Sequence, residues 1–248
     1  MKRPIIIATI ILLVVTVVVI KTKSLTSKSQ QLRLAVDERP PKENRLKWYA
    51  AKAKDQGVAE VQIVYPFQFI DYLGSGLATV EEALSYYSLV VARPTQFHTL
   101  VDKNDDIFTW YKFEIVESLN KIDKPACQIC RKPSPPSEMF SLSENDFVTG
   151  KYGGTAEVDG IKITMTDREY PDFKIGKEYL LFISRYDNGA ATIGMGPNSI
   201  FTVESGGYLL KFNNLPNEVK NQIEREYGKS LSNVRSLAGQ IRDSKRIK

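Results

Sequence analysis

The chain has 248 residues, 42% hydrophobic and 25% charged, with 34 basic and 29 acidic side chains and a formal charge of +5. That excess would favour a polyanionic partner, yet six of the basic residues lie in residues 1–33, where there is no acid, leaving 28 against 29 and a net of −1 beyond. Nucleic-acid binding thereby loses its electrostatic support.

Residues 1–3 are a short basic start, read as cytoplasmic, and Pro4 to Ile20 is an apolar run bounded by Lys2-Arg3 and by Lys21 and Lys23. At about 1.5 Å per residue, a helix of this length spans roughly 26 Å, short but adequate for a hydrocarbon core. A cleavable signal peptide is the rival reading. It needs small residues at the end of the apolar stretch, where KTKSLTSKS stands instead. The segment is therefore expected to be a retained transmembrane signal anchor. Its flanking lysines meet lipid headgroups, and the bulk of the chain lies on the extracytoplasmic side. Residues 21–43 are polar, contain Pro40-Pro41, and read as a flexible tether.

Residues 44–212 read as one β-rich domain. Leu46, Tyr49, Ala50 and Ala53 recur at helical spacing over Asn44 to Gln56, and Gly57 supplies the stop. Val58 to Phe67 alternates as a strand. Thr79 to Glu82 forms a capping box for a second short helix that buries Ala83, Leu84 and Tyr87. Ser88 to Ala92 is a strand expected to end at Arg93-Pro94, and Ile107 to Leu119 is a long strand apolar on both faces. Short strands follow at Phe147-Val148, Ile161–Met165, Glu178–Ser184, Ala190–Met195, Ser199–Val203 and Tyr208–Phe212, with Asp187-Asn188-Gly189 and Ser205-Gly206-Gly207 as hairpin turns. The fold class is mainly β (α+β), a small barrel or sandwich with short flanking helices. Residues 213–248 carry two helices, the second from about Ser232 to Arg242, and a basic tail read as a solvated helix end.

The runs VEEALSYYSLVVARPTQ, IFTWYKFEIVESL, PDFKIGKEYLLFIS and SIFTVESGGYLLKF, with the pair Gly153-Gly154, carry a family likeness over roughly residues 79–212. The pattern resembles uncharacterised bacterial exported domains similar to oligonucleotide-binding or TIMP-like barrels. The resemblance implies a small closed barrel and an exported address, and supplies no catalytic residue. This chain departs from the pattern in a Pro- and Ser-rich insertion over 122–145.

That insertion holds both cysteines, Cys127 and Cys130. A haem attachment motif would need His where Arg131 stands, and a zinc site lacks its second pair of ligands. A redox pair would want a helix start rather than the surrounding Pro125, Pro133, Pro135 and Pro136. A local disulfide fits an oxidising compartment; redox and intermolecular zinc readings stay open. His98 is the one histidine, so any triad would have to use it, and no G-x-S-x-G stretch accompanies it. Asp102, Asn104, Asp105 and Asp106 alternate like calcium ligands but lack the glycine and glutamate of the calcium loop, which favours a polar turn. Glu81-Glu82 and Glu114/Glu117 fall at capping and strand positions, and Gly74-Ser-Gly76 lacks the lysine of a phosphate loop.

The expected function is a membrane-tethered extracytoplasmic binding or interaction protein with no catalytic site, cofactor or metal. Tyr86, Tyr87, Trp110 and Tyr111 are its candidate contact residues and an envelope protein is its partner. The alternative is a thiol-active or hydrolytic envelope enzyme built on Cys127/Cys130 or on His98.

Overall fold

The computed structural model describes residues 31–32, 41, 43–64, 84, 87–120, 139–167, 170, 172–194, 200–204, 208–211 and 230–246. The apolar run 4–20, most of the tether, the capping box 79–82, the cysteine-bearing stretch 121–138 and the helix expected near Asn214 lie outside them. Among the described residues no helix is long and apolar enough to cross a membrane.

The described elements are mainly β. In chain order they are β1 (Gln31–Leu32), α1 (Arg45–Asp55), β2 (Glu60–Val64), β3 (Ser88–Val101), β4 (Ile107–Asn120), β5 (Asp146–Tyr152), β6 (Gly154–Val158) and β7 (Ile161–Thr166). After these come β8 (Glu178–Arg185), β9 (Ala191–Ile193), β10 (Phe201–Glu204), β11 (Tyr208–Lys211) and α2 (Leu231–Arg246). The chain divides into two compact units, Met1–Ile63 with Ala156–Thr164, and Val64–Thr155 with Met165–Lys248.

In the first unit the strands run in the order β1-β2-β7-β6, with β1 parallel to β2. Its helix α1 buries Leu46, Tyr49, Ala50 and Ala53, the four positions its sequence spacing predicts, while among the described residues of its other segments Val58, Val61, Ile161 and Ile163 are buried. Gly57 ends the helix for a stereochemical reason. With φ 66° it turns left-handed, so that its own N–H reaches the Lys54 carbonyl (3.0 Å) and that of Val58 reaches Ala53 (2.8 Å). Two otherwise orphaned helix carbonyls are thereby satisfied, an arrangement a side chain with a Cβ disfavours.

The second unit is an antiparallel sheet in the order β11-β10-β8-β3-β4-β5, with β9 paired to β8. Because side chains alternate across a strand, the unbroken apolar runs of β3 and β8 feed both faces. Leu89, Val91, Leu180 and Phe182 join Phe201 on one side, where Leu231, Val234 and Ala238, spaced along one stripe of α2, complete the cluster. Val90, Ala92, Leu181 and Ile183 face the other way, into an aromatic cluster with Tyr111, Phe113, Phe147, Phe173 and Tyr179. There Phe113 stacks on Phe147 at 5.1 Å, and Phe173 sets its edge against Phe113 at 5.1 Å and Tyr179 at 5.1 Å. Each such ring contributes about 1.5–3 kcal/mol by burial alone.

Two expectations are corrected here. Neither sheet closes into a barrel. β5 approaches the turn before β9 through a single parallel bridge, Val148 with Ala190, in which the Val148 N–H donates to the Gly189 carbonyl at 2.9 Å. One bridge beside a three-residue strand is too short a run for a ladder. Secondly, β3 does not stop at Arg93-Pro94 but continues to Val101. Pro94 sits at a register shift, pairs with Phe113, and gives its carbonyl to the Gly176 N–H at 2.9 Å, away from β4. A proline facing away from its paired strand forfeits no ladder bond, so the strand passes through it.

Candidate functional site

Beyond Ala92, β3 leaves β8 and among the described strands pairs only with β4. This stretch is an exposed part of the sheet. Thr95, Gln96, Phe97 and His98 are all exposed, Phe97 to 54% and Val101 to 41%. The Phe97 ring lies 5.9 Å from that of Tyr111, on the cross-strand partner position, so an apolar surface continues outward from the aromatic core.

The hairpin end is built by Asp102. One of its carboxylate oxygens accepts the N–H of Asn104 (2.8 Å) and of Asp106 (2.9 Å), and the Asp105 N–H reaches its carbonyl at 3.0 Å. A carboxylate that accepts the N–H groups of its own turn makes an Asx turn. Among the described residues no group of three acidic, histidine or cysteine side chains is placed to hold a metal.

Trp110 and Tyr111, adjacent in β4, point to opposite faces, and both are buried. Trp110 lies across from His98 and Gly150, where the Phe108 and Trp110 rings occupy the space a Cβ at residue 150 would need. Tyr111 reaches into the aromatic cluster. Burial, chiefly, with the charge of Asp172 and the neighbouring Tyr179, raises its phenol well above the ordinary value, against the bond from the Phe173 backbone. Tyr87 is half-buried against the α2-side cluster, with its ring over Gly194. The structure therefore does not bring Tyr87, Trp110 and Tyr111 together on one surface. Tyr86, Cys127 and Cys130 lie outside the described residues.

His98 is exposed, with its ring 5.0 Å from Phe140, and among the described residues it forms no ion pair with a carboxylate. Glu114 pairs with Arg93 at 2.9 Å and Glu117 binds Arg235 of α2 through two oxygens, so both glutamates hold elements together. Lys151 is buried, its ammonium held by Asp172 at 2.6 Å and by the Tyr170 carbonyl at 3.2 Å. An open cleft of about 520 Å³ lies along Leu142, Ser143, Asp146, Arg185, Tyr186 and Gly189. Its guanidinium is committed to the carbonyls of Glu144 (3.0 Å) and Asp146 (2.9 Å).

What sequence reasoning missed is the exposed half of β3. TQFHTLV holds three β-branched residues and a phenylalanine, a signal of a strand, but the Arg93-Pro94 step before it reads as a strand end. No protein-family model and no curated protein matches the chain.

Proposed function

We propose that the protein is a membrane-tethered binding module, anchored through residues 4–20, whose folded part works on the extracytoplasmic side by contacting an envelope protein through the exposed half of β3. The observation that carries this reading is Phe97, a large aromatic side chain 54% exposed at the margin of an aromatic core. Aromatic side chains provide large contact area for little conformational cost, which is why they anchor protein interfaces.

The test uses the full chain in intact cells. A photoreactive phenylalanine analogue replaces Phe97, with exposed Thr166 of β7 as the control position. A discrete adduct from position 97 alone, together with protease sensitivity in spheroplasts and not in intact inner-membrane vesicles of the opposite orientation, is the expected result. Equal labelling from both positions, or protection from protease in spheroplasts, overturns the proposal.

A further inference from the structure

The edge of β3 beyond Ala92, which no described strand covers, has a hydrogen-bonding pattern that can be read from its neighbours. On β4 the Ile107 carbonyl accepts from Gly153 (2.8 Å) and the Ile115 N–H donates to Asn145 (2.9 Å), so the odd-numbered residues of β4 turn their backbone groups towards β5. In an antiparallel pair, residues opposite those positions also turn away from the shared ladder. Val101, Thr99 and Phe97 pair with Ile107, Thr109 and Tyr111. Their N–H and C=O groups therefore point outward, along an edge that no described strand covers.

Edges of this kind are normally blunted by charge, by proline or by a bulge. Here the register shift lies before the outward set, between Pro94 and Gln96, and Thr95 to Val101 contains no Asp, Glu, Lys or Arg. The outward residues are spaced evenly about Thr99. A second copy running antiparallel, related by a two-fold axis through Thr99, would set each Phe97 opposite Val101 of the other copy and Thr99 opposite Thr99. All three pairs would be of the hydrogen-bonded kind, with two bonds exchanged in each. The same register brings aromatic against β-branched side chain, a favourable cross-strand pair, and opposes no like charges.

We infer that this edge joins two copies of the chain by strand addition, continuing the sheet of one into the sheet of the other through Phe97, Thr99 and Val101. The inference rests on the contact surface proposed above and names its partner. The photo-adduct separates the two readings: one of twice the 28.0 kDa chain mass supports both, whereas an adduct to a different protein keeps the envelope-partner reading and overturns this one.

The direct test is the oligomeric state of the full chain in detergent micelles, by light scattering over a concentration series. The double variant Phe97→Lys/Val101→Lys places ammonium groups opposite one another across both outer pairs. Dimerisation should weaken by about tenfold or more. Mixing that variant with Phe97→Glu/Val101→Glu should restore a mixed dimer, which a merely misfolded variant would not do. A monomeric wild-type chain, or a dimer unchanged in both variants and therefore held elsewhere, overturns the inference.

Discussion

Asp146 is buried and yet ionised, and its neighbours explain how. Burial raises its pKa, but the N–H of Ser143 at 2.7 Å and the ammonium of Lys112 at 3.0 Å outweigh it and leave the carboxyl below its ordinary value. A folded-state pKa held below that of the unfolded chain adds stability that is present above about pH 4 and lost as pH falls through the lowered value. Asp146→Asn should destabilise the protein by about 1–3 kcal/mol at neutral pH and flatten the acid limb of its stability curve, measured by urea unfolding at several pH values. An unchanged acid limb would assign that limb to other carboxylates. The glycine pair makes a second case at this scale. Gly153 and Gly154 have φ of 99° and 134°, and a Cβ on Gly154 would stand 2.3 Å from the Thr109 hydroxyl. Gly154→Ala should cost about 2–4 kcal/mol, the sum of backbone strain and overpacking, read as a shifted unfolding midpoint. The pair was legible in the sequence as a structural motif. Its reason was not, because the threonines it must clear lie on β3 and β4, more than forty residues earlier.

Elements whose signals are local were the ones legible in advance. The buried stripe of α1, its Gly57 stop, both faces of β4 and the Gly189 turn follow from spacing and from residues that tolerate positive φ. Pairing partners carry no such local mark, so in the sequence Pro94 reads as the end of β3 and the sheet reads as closing. Only the position of Gly176 shows where the Pro94 carbonyl goes, and only the brevity of β9 shows why β5 finds a bridge instead of a ladder. Trp110 and Tyr111 do not share a surface for a related cause: they are neighbours in sequence, and in a strand that places them on opposite faces. At the C-terminal end, α2 is started by Ser230, whose hydroxyl accepts the Asn233 N–H at 3.3 Å, and is docked by Leu231, 3% exposed within the β3–β8 cluster. Leu231→Ala should cost about 2–4 kcal/mol and Ser230→Ala about 0.5–2 kcal/mol. Hydrogen exchange of α2 checks both; equal effects of the two would mean that the helix is held by its cap rather than by its packing.

For the whole molecule, the distribution of charge matters more than its total. Beyond residue 33 the acidic and basic side chains nearly cancel, and the buried Asp146 and Lys151 are both paired, with Lys112 and with the exposed Asp172. The excess lies around the apolar run, and so does the strongest quantitative expectation. Residues 4–20 contain thirteen Ile, Leu and Val residues. At about 0.3–0.6 kcal/mol each near the centre of a bilayer, they favour insertion by roughly 4–8 kcal/mol. An arginine at the centre costs about 2.5–3.5 kcal/mol, so two of them offset most of that gain. The double variant Leu12→Arg/Val14→Arg should move the full-length chain from carbonate-washed membranes to the soluble fraction, while Thr22→Arg, beyond the run, should leave it in the membrane. If the double variant stayed membrane-bound after the wash, some other part of the chain would be its anchor, and the tether would have to be sought there.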